Sequence, residues 1–284
     1  MSGILKMEFR RLYKSPFFYV YPAIISLLLL FQYIFRHEAQ DPTAVTYILE
    51  IAWKTFFVAI ICAGIFSVHL WATEDKHGYT KNIIGNVSGR HILTITKLII
   101  SSLVAIFYML VTFLYSLIMC SIEYTEIKST LNVYYFPESA DLMPEGFRDR
   151  WMSPEAFEQQ NREFLNHHIQ QFLLMMLVGI VIMAIIVFLY ELTRSHVFTY
   201  VMTILIPVEF VENLLLNITG LITDNPILAK NLLYRQFIFF DEFTLDGEIW
   251  NEGLPVWQFW VRNILYFIIF AGASIYVSKK KDSV

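Results

Sequence analysis

Long apolar stretches alternate with polar segments along the 284 residues of the chain. An α-helix needs about 20 mostly apolar residues to cross roughly 30 Å of hydrocarbon, and six stretches meet that length. The pattern therefore predicts an all-α membrane protein with six transmembrane helices. The predicted spans cover residues 17–35, 51–72, 98–122, 169–192, 197–222 and 256–277.

The composition agrees with a lipid environment. Hydrophobic residues make up 56% of the chain and charged residues only 16%, whereas an ordinary soluble domain has about 25% charged residues. The first span follows a basic segment and leads directly into further spans, so we predict a retained helix and not a cleaved signal peptide. We expect one membrane domain over residues 1–284.

Basic residues concentrate on one side of the predicted topology. With six crossings and a cytoplasmic N terminus, the cytoplasmic segments hold 12 of the 21 basic residues and 5 of the 25 acidic ones. Because Lys and Arg are enriched in cytoplasmic loops, both termini are predicted to be cytoplasmic. Segment 73–97 then faces the cytoplasm, and segments 123–168 and 223–255 face outward. The compact layout is typical of a multi-pass protein of the bacterial plasma membrane.

Residues 1–15 are predicted to form an amphipathic interfacial helix. Its basic face consists of Lys6, Arg10 and Lys14, at i, i+4 and i+8. Its apolar face consists of Leu5, Phe9 and Leu12. Such a helix lies in the headgroup layer, in contact with membrane lipids. The alternative is a basic flank that only orients the first span.

The acidic outer segment 123–168 contains a helix signal in its second half. Ser153 is a predicted N-cap and Pro154 suits the first helical position. The helix is expected to continue into the fourth span. Because His167 and His168 are adjacent, they point in different directions on a helix, and we predict no metal site there.

The second outer segment, 223–255, contains an apolar stretch at 225–243 that is too short and too charged to span the membrane. It fits a re-entrant or interfacial element before the sixth span. An ordinary amphipathic surface loop is the alternative.

Among the charged residues of the predicted spans, three lie away from the ends of their spans. Glu209 and Glu212 follow Pro207 in span five, and Arg262 lies at a similar depth in span six. Because charges inside a bilayer are costly, we expect Arg262 to pair with one of the two glutamates. A static ion pair that holds the bundle together is favoured over a role in cargo or proton handling.

Motifs for catalysis and nucleotide binding are absent from the sequence. It contains no GxxxxGK[ST] loop, no HExxH, and no serine and histidine at a workable spacing. We therefore predict no catalytic residue, no metal and no cofactor in this chain, and no nucleic-acid partner. If ATP drives the protein, another chain hydrolyses it.

The polar stretch "EDKHGYTKNIIGNVSGR", residues 74–90, separates spans two and three. Residues 79–88 can form a short helix. One side of this helix carries Ile83, Ile84 and Val87. This apolar patch, rimmed by Lys81 and Arg90, suits a groove on a soluble partner. The alternative is a loop that lies on the headgroups without a partner.

The layout resembles the permease subunits of ABC-2 type ATP-binding-cassette exporters, among them antimicrobial-peptide export and immunity proteins. The shared features are the interfacial helix, the six spans, the loop between spans two and three, and the element before span six. The local match consists of Glu74, Gly78 and Lys81, followed by Ser88, Arg90 and Lys97 within "NVSGRHILTITK". Gly89 separates Ser88 from Arg90, whereas the family commonly has an adjacent "SR" pair.

The resemblance implies that segment 73–97 holds a coupling helix, which docks onto a cytoplasmic ATPase. It also implies a second permease, identical or related, and a pair of ATPase subunits that bind ATP and Mg²⁺. This chain would form the translocation pathway for a peptide or hydrophobic compound, and the acidic outer face favours a cationic peptide. Two alternatives are a membrane sensor or scaffold without transport activity, and a membrane-embedded enzyme that uses Glu209 and Glu212.

Overall fold

The computed structural model describes residues 2–36, 44–76, 90–134, 154–207 and 256–282. All regular secondary structure in these ranges is α-helical, which confirms the predicted all-α class for this part of the chain. The helices are α1 (Ser2–Lys14), α2 (Pro16–Arg36), α3 (Ala44–Lys76), α4 (Arg90–Tyr134), α5 (Pro154–Thr193), α6 (His196–Leu205) and α7 (Val256–Asp282).

Helices α3, α4 and α5 form the centre of the bundle. α4 packs against both α3 and α5, while α7 covers α5 and α4. α2 lies on α3 and α4, α6 lies on α3 and α5, and α1 contacts α4 and α2. Large side chains from the three central helices, such as Phe66, Tyr108 and Met175, are fully buried. The centre is therefore a packed apolar core.

Two glycines allow neighbouring helices to approach closely. A Cβ atom added at Gly64 of α3 would overlap Thr203 Cγ2 of α6. A Cβ atom at Gly179 of α5 would lie 2.8 Å from Met109 Sδ of α4. A larger side chain at Gly64 would require α3 and α6 to shift, and one at Gly179 would require the Met109 side chain or the helices to move.

Within the described residues, four segments are long and apolar enough to cross a membrane. They are Phe56–Lys76, Arg90–Tyr115, Phe172–Thr193 and Trp260–Lys281, and they correspond to predicted spans two, three, four and six. Predicted span one coincides with α2, of which Pro16–Leu27 is a shorter apolar helix. Predicted span five begins on α6, and residues 208–222 lie outside the described part of the chain. The six-span arrangement therefore stays a prediction.

Two helices extend far beyond their apolar segments. α4 has 45 residues, or about 68 Å at 1.5 Å per residue, which is roughly twice the hydrocarbon thickness. α5 begins at Pro154 and runs to Thr193 without interruption, which confirms both the predicted start and the predicted continuation into span four. Much of segment 123–168 is therefore helical. The predicted cap Ser153 and the segment 223–255, including 225–243, lie outside the described residues.

Candidate functional site

Charged side chains from several helices meet near the end of α3 at Lys76 and the first turns of α4, which begins at Arg90. We call this set the ionic cluster. Its members are Glu8 and Arg11 of α1, Glu74 and Asp75 of α3, Lys97 of α4, Tyr190 and Glu191 of α5, Arg194 between α5 and α6, and His196 of α6.

Arg11 joins α1 to the end of α3. Its Nη1 donates a hydrogen bond to Glu74 Oε1 at 3.1 Å and lies 3.4 Å from both carboxylate oxygens of Glu8. Glu8 and Glu74 are only 5% and 3% exposed. Because an unpaired buried carboxylate costs several kcal/mol, the shared guanidinium fixes α1 against α3.

Lys97 occupies the middle of the cluster. The residue is 3% exposed, and its Nζ lies 4.2 Å from the ring centroid of Tyr190 and 5.5 Å from that of Trp71. Among the described residues, Nζ has no hydrogen-bond acceptor. Burial disfavours the charged form of Lys97, and the attraction of Glu74, Glu191 and Asp75 opposes this effect. The aromatic faces and the nearby carboxylates therefore offset only part of the cost of burying the cation.

Asp75 joins the last turn of α3 to α5 and α6. The Tyr190 hydroxyl donates a hydrogen bond to Asp75 Oδ2, and His196 Nε2 lies 3.0 Å from the same oxygen. The rings of Trp71, Tyr190 and His196 follow one another, with successive centroids 5.1 and 5.3 Å apart. Three helices are therefore held together at this end by one carboxylate and a row of rings.

The α5–α6 junction has an unusual backbone conformation. Arg194 has φ of 57°, which lies in the left-handed region that costs a non-glycine residue about 1–2 kcal/mol. Its guanidinium pairs with buried Glu191 and lies 5.5 Å from the Tyr190 ring. Ser195 then caps α6, since its Oγ accepts the Phe198 N–H at 3.2 Å. These contacts offset the backbone strain.

Helix α7 contacts α5 and α4 beside the ionic cluster. Lys281 Nζ donates to the carbonyl oxygens of Glu191 at 2.8 Å and Leu192 at 3.1 Å, where a cation favourably meets the C-terminal end of α5. Thr94 Oγ1 donates to Ser278 Oγ at 2.8 Å, which ties α4 to α7. The helices that flank residues 77–89 are thus linked to the rest of the bundle.

Residues 4–143 match the family model described as ABC-2 family transporter protein. This match supports the predicted ABC-2 type permease. No curated protein matches the chain. The matched range contains α1 to α4, and so it includes Arg11, Glu74 and Lys97 of the ionic cluster. The matched family consists of membrane transport proteins, which agrees with the long apolar helices of this chain.

The predicted coupling residues are divided between described and undescribed parts of the permease. Glu74 and Arg90 lie at the two helix ends, and Glu74 points into the bundle toward Arg11. The residues outside the described ranges are Gly78, Lys81, Ile83, Ile84, Val87 and Ser88. A docking role for segment 73–97 therefore stays a prediction.

The predicted basic face of α1 is exposed at Lys6, Arg10 and Lys14, whereas the predicted apolar face is only partly buried. Phe9 is exposed and Leu12 is buried. The face that packs on the bundle consists of Ile4, Glu8 and Leu12. The observed buried face is therefore rotated about the helix axis relative to the predicted apolar face, since Glu8 lies at its centre.

The predicted intramembrane pair is not brought together in the described residues. Glu209 and Glu212 lie outside them, and Arg262 is half-buried on α7. The pairing of Arg262 with one of the glutamates stays a prediction.

Sequence reasoning missed most of the ionic cluster. Glu8, Asp75, Glu191 and Arg194 are among the charged residues that the sequence analysis counts in the cytoplasmic segments, and it assigns them no other role; Tyr190 is not singled out. A usable signal was the position of Glu191, directly after the apolar stretch of α5, because an acid on the buried stripe of a helix requires a partner.

Proposed function

We propose that this permease is the membrane subunit of an ATP-driven exporter, and that segment 73–97 docks onto separate cytoplasmic ATPase subunits. One observation carries the proposal: the two helices that flank residues 77–89, α3 and α4, are both anchored in the ionic cluster. Glu74 and Asp75 anchor the α3 end, and Lys97 anchors the α4 end. A force on the segment would therefore act on both helices together.

The contacts of the cluster suit the transmission of movement. A soluble partner can change a membrane bundle only through rigid elements and networks of ion pairs and hydrogen bonds. Glu74 reaches α1 through Arg11, and Asp75 reaches α5 and α6 through Tyr190 and His196. Because much of the cluster is buried, salt screens its interactions less than those of surface charges.

In the proposed cycle, ATP and Mg²⁺ bind to the partner ATPase subunits and bring them together. The docked segments then move, and the permease helices switch access from one side of the membrane to the other. A second permease, identical or related, completes the pathway. A peptide or hydrophobic compound is the proposed cargo, and the acidic outer segment 123–168 supports a cationic peptide.

The test compares what co-purifies with three tagged proteins in mild detergent, identified by mass spectrometry. These are the wild type, the double variant Ile83→Asp with Ile84→Asp, and the control Ile83→Val with Ile84→Val. Charges should abolish docking of the apolar patch, whereas valines should preserve it. We expect an ATPase with a phosphate-binding loop in the wild-type and valine samples only.

Two results would contradict the proposal. An ATPase that stays bound to the aspartate variant would exclude docking through Ile83 and Ile84. Absence of an ATPase from all three samples would favour the sensor or scaffold alternative, which needs no nucleotide-driven partner.

A further inference from the structure

Helix α1 presents a row of cations away from the bundle. Lys6, Arg10 and Lys14 are all exposed, and none of them forms an ion pair within the described part of the chain. They recur every fourth residue and span about 12 Å along the helix axis. The opposite face of α1, with Glu8 at its centre, is buried against the protein.

The cations of α1 lie directly before an apolar helix. α1 ends at Lys14, and α2, an apolar helix, begins two residues later at Pro16. The Tyr19 hydroxyl donates to the carbonyl oxygen of Tyr13 at 2.9 Å, which fixes the orientation of one helix relative to the other. Tyr13, Phe17 and Tyr19 are exposed here, as expected for aromatic side chains at a membrane interface.

We propose that the basic face of α1, formed by Lys6, Arg10 and Lys14, binds anionic phospholipid headgroups and thereby sets the position of the α3 end through Arg11. Exposed cations beside an apolar helix match the charge of an anionic leaflet. The aromatic side chains would occupy the boundary between headgroups and acyl chains. The proposed lipid binding does not depend on the proposed function, whereas the proposed effect on coupling rests on it.

Arg11 provides the connection between the lipid face and the ionic cluster. It follows Arg10 in the chain, yet its guanidinium points inward to Glu74, at 3.1 Å. Glu74 lies three residues before segment 77–89. A shift of α1 on lipid binding would therefore change a contact of Glu74, which lies within the proposed docking segment 73–97.

Lipid binding is tested by native mass spectrometry of the full chain, released from vesicles of equal parts phosphatidylcholine and phosphatidylglycerol. The variant is Lys6→Gln with Lys14→Gln. The matched control is Lys279→Gln with Lys280→Gln, which removes the same charge from the exposed end of α7. Each cation near an anionic surface contributes about fivefold to binding. We expect the preference for phosphatidylglycerol to fall about 25-fold in the α1 variant and much less in the control.

Equal losses in the α1 variant and the control would show that lipid is attracted by surface charge in general, and would overturn the assignment to α1. No loss in the α1 variant would also overturn it. If this variant loses the ATPase but keeps its lipid preference, the basic face binds the ATPase instead and the proposal is wrong.

The effect on coupling is measured as ATPase stimulation by phosphatidylglycerol in the reconstituted complex. Arg11→Gln should keep the lipid preference and lose the stimulation, and Arg11→Lys should retain part of it. Unchanged stimulation in Arg11→Gln would exclude this route. If no ATPase accompanies the wild type, the proposed function fails, while the lipid preference is still decided by mass spectrometry.

Discussion

Replacement of Lys97 by methionine would test whether the ionic cluster stabilises the permease. Two opposing effects are expected. Methionine avoids the cost of burying an ammonium group that has no hydrogen-bond acceptor among the described residues, a cost of several kcal/mol. The substitution also removes the cation from the neighbourhood of Glu74 and Glu191, which are 3% and 1% exposed.

The charge balance decides between these effects. Besides His196, the cluster holds four carboxylates against the three cations of Arg11, Lys97 and Arg194, so methionine would leave two cations. Water cannot replace the ammonium around carboxylates that are this deeply buried. Lys97 attracts Glu74 and Glu191 but forms no direct ion pair with them among the described residues, so its loss should cost less than breaking a buried ion pair, which costs about 3–5 kcal/mol. We therefore expect Lys97→Met to lower the free energy of unfolding by about 1–3 kcal/mol.

The measurement is denaturant unfolding of the purified permease in mild detergent. Lys76→Met, which removes an exposed lysine at the end of α3, should stay within about 0.5 kcal/mol of the wild type. Adding Glu74→Gln to Lys97→Met should recover part of the loss, with a coupling energy of about 0.5–3 kcal/mol. A Lys97→Met permease as stable as the wild type would refute the reasoning, and so would strictly additive effects.

Two further predictions concern the backbone. Gly64→Ala should destabilise the permease by about 1–3 kcal/mol in the same unfolding assay, because the new Cβ would overlap Thr203. The control is Gly272→Ala, whose Cβ would have no atom within 4 Å. This control should be neutral or should stabilise the permease by up to about 1 kcal/mol. Equal effects would exclude a close contact at Gly64. Arg194→Gly should be more stable than Arg194→Ala by about 1–2 kcal/mol, because φ at position 194 is 57° and glycine adopts this conformation without strain. Both variants lose the same ion pair, so the difference between them reports on the backbone. The opposite order of stability would contradict the left-handed conformation.

The helix positions were largely predictable because their signals are local. α2 covers 16–36 where 17–35 was predicted, and α5 starts at the predicted Pro154. The differences between predicted spans and observed helix ends have one cause. α3 begins at Ala44, seven residues before the predicted span, because a hydropathy pattern locates the part of a helix that suits lipid. Backbone hydrogen bonding continues through the polar residues beyond it.

The ionic cluster could not be assembled from the sequence, because its contacts join distant positions. Arg11 and Glu74 are 63 residues apart, and Tyr190 and Asp75 are 115 residues apart, so no periodic pattern connects them. One part was nevertheless accessible. Glu8 lies one turn from both Ile4 and Leu12, and a buried face with that spacing places a carboxylate inside the protein. Such a carboxylate requires a cation, but only the packing of α1 beside α3 shows that Arg11 supplies it and that Glu74 shares it.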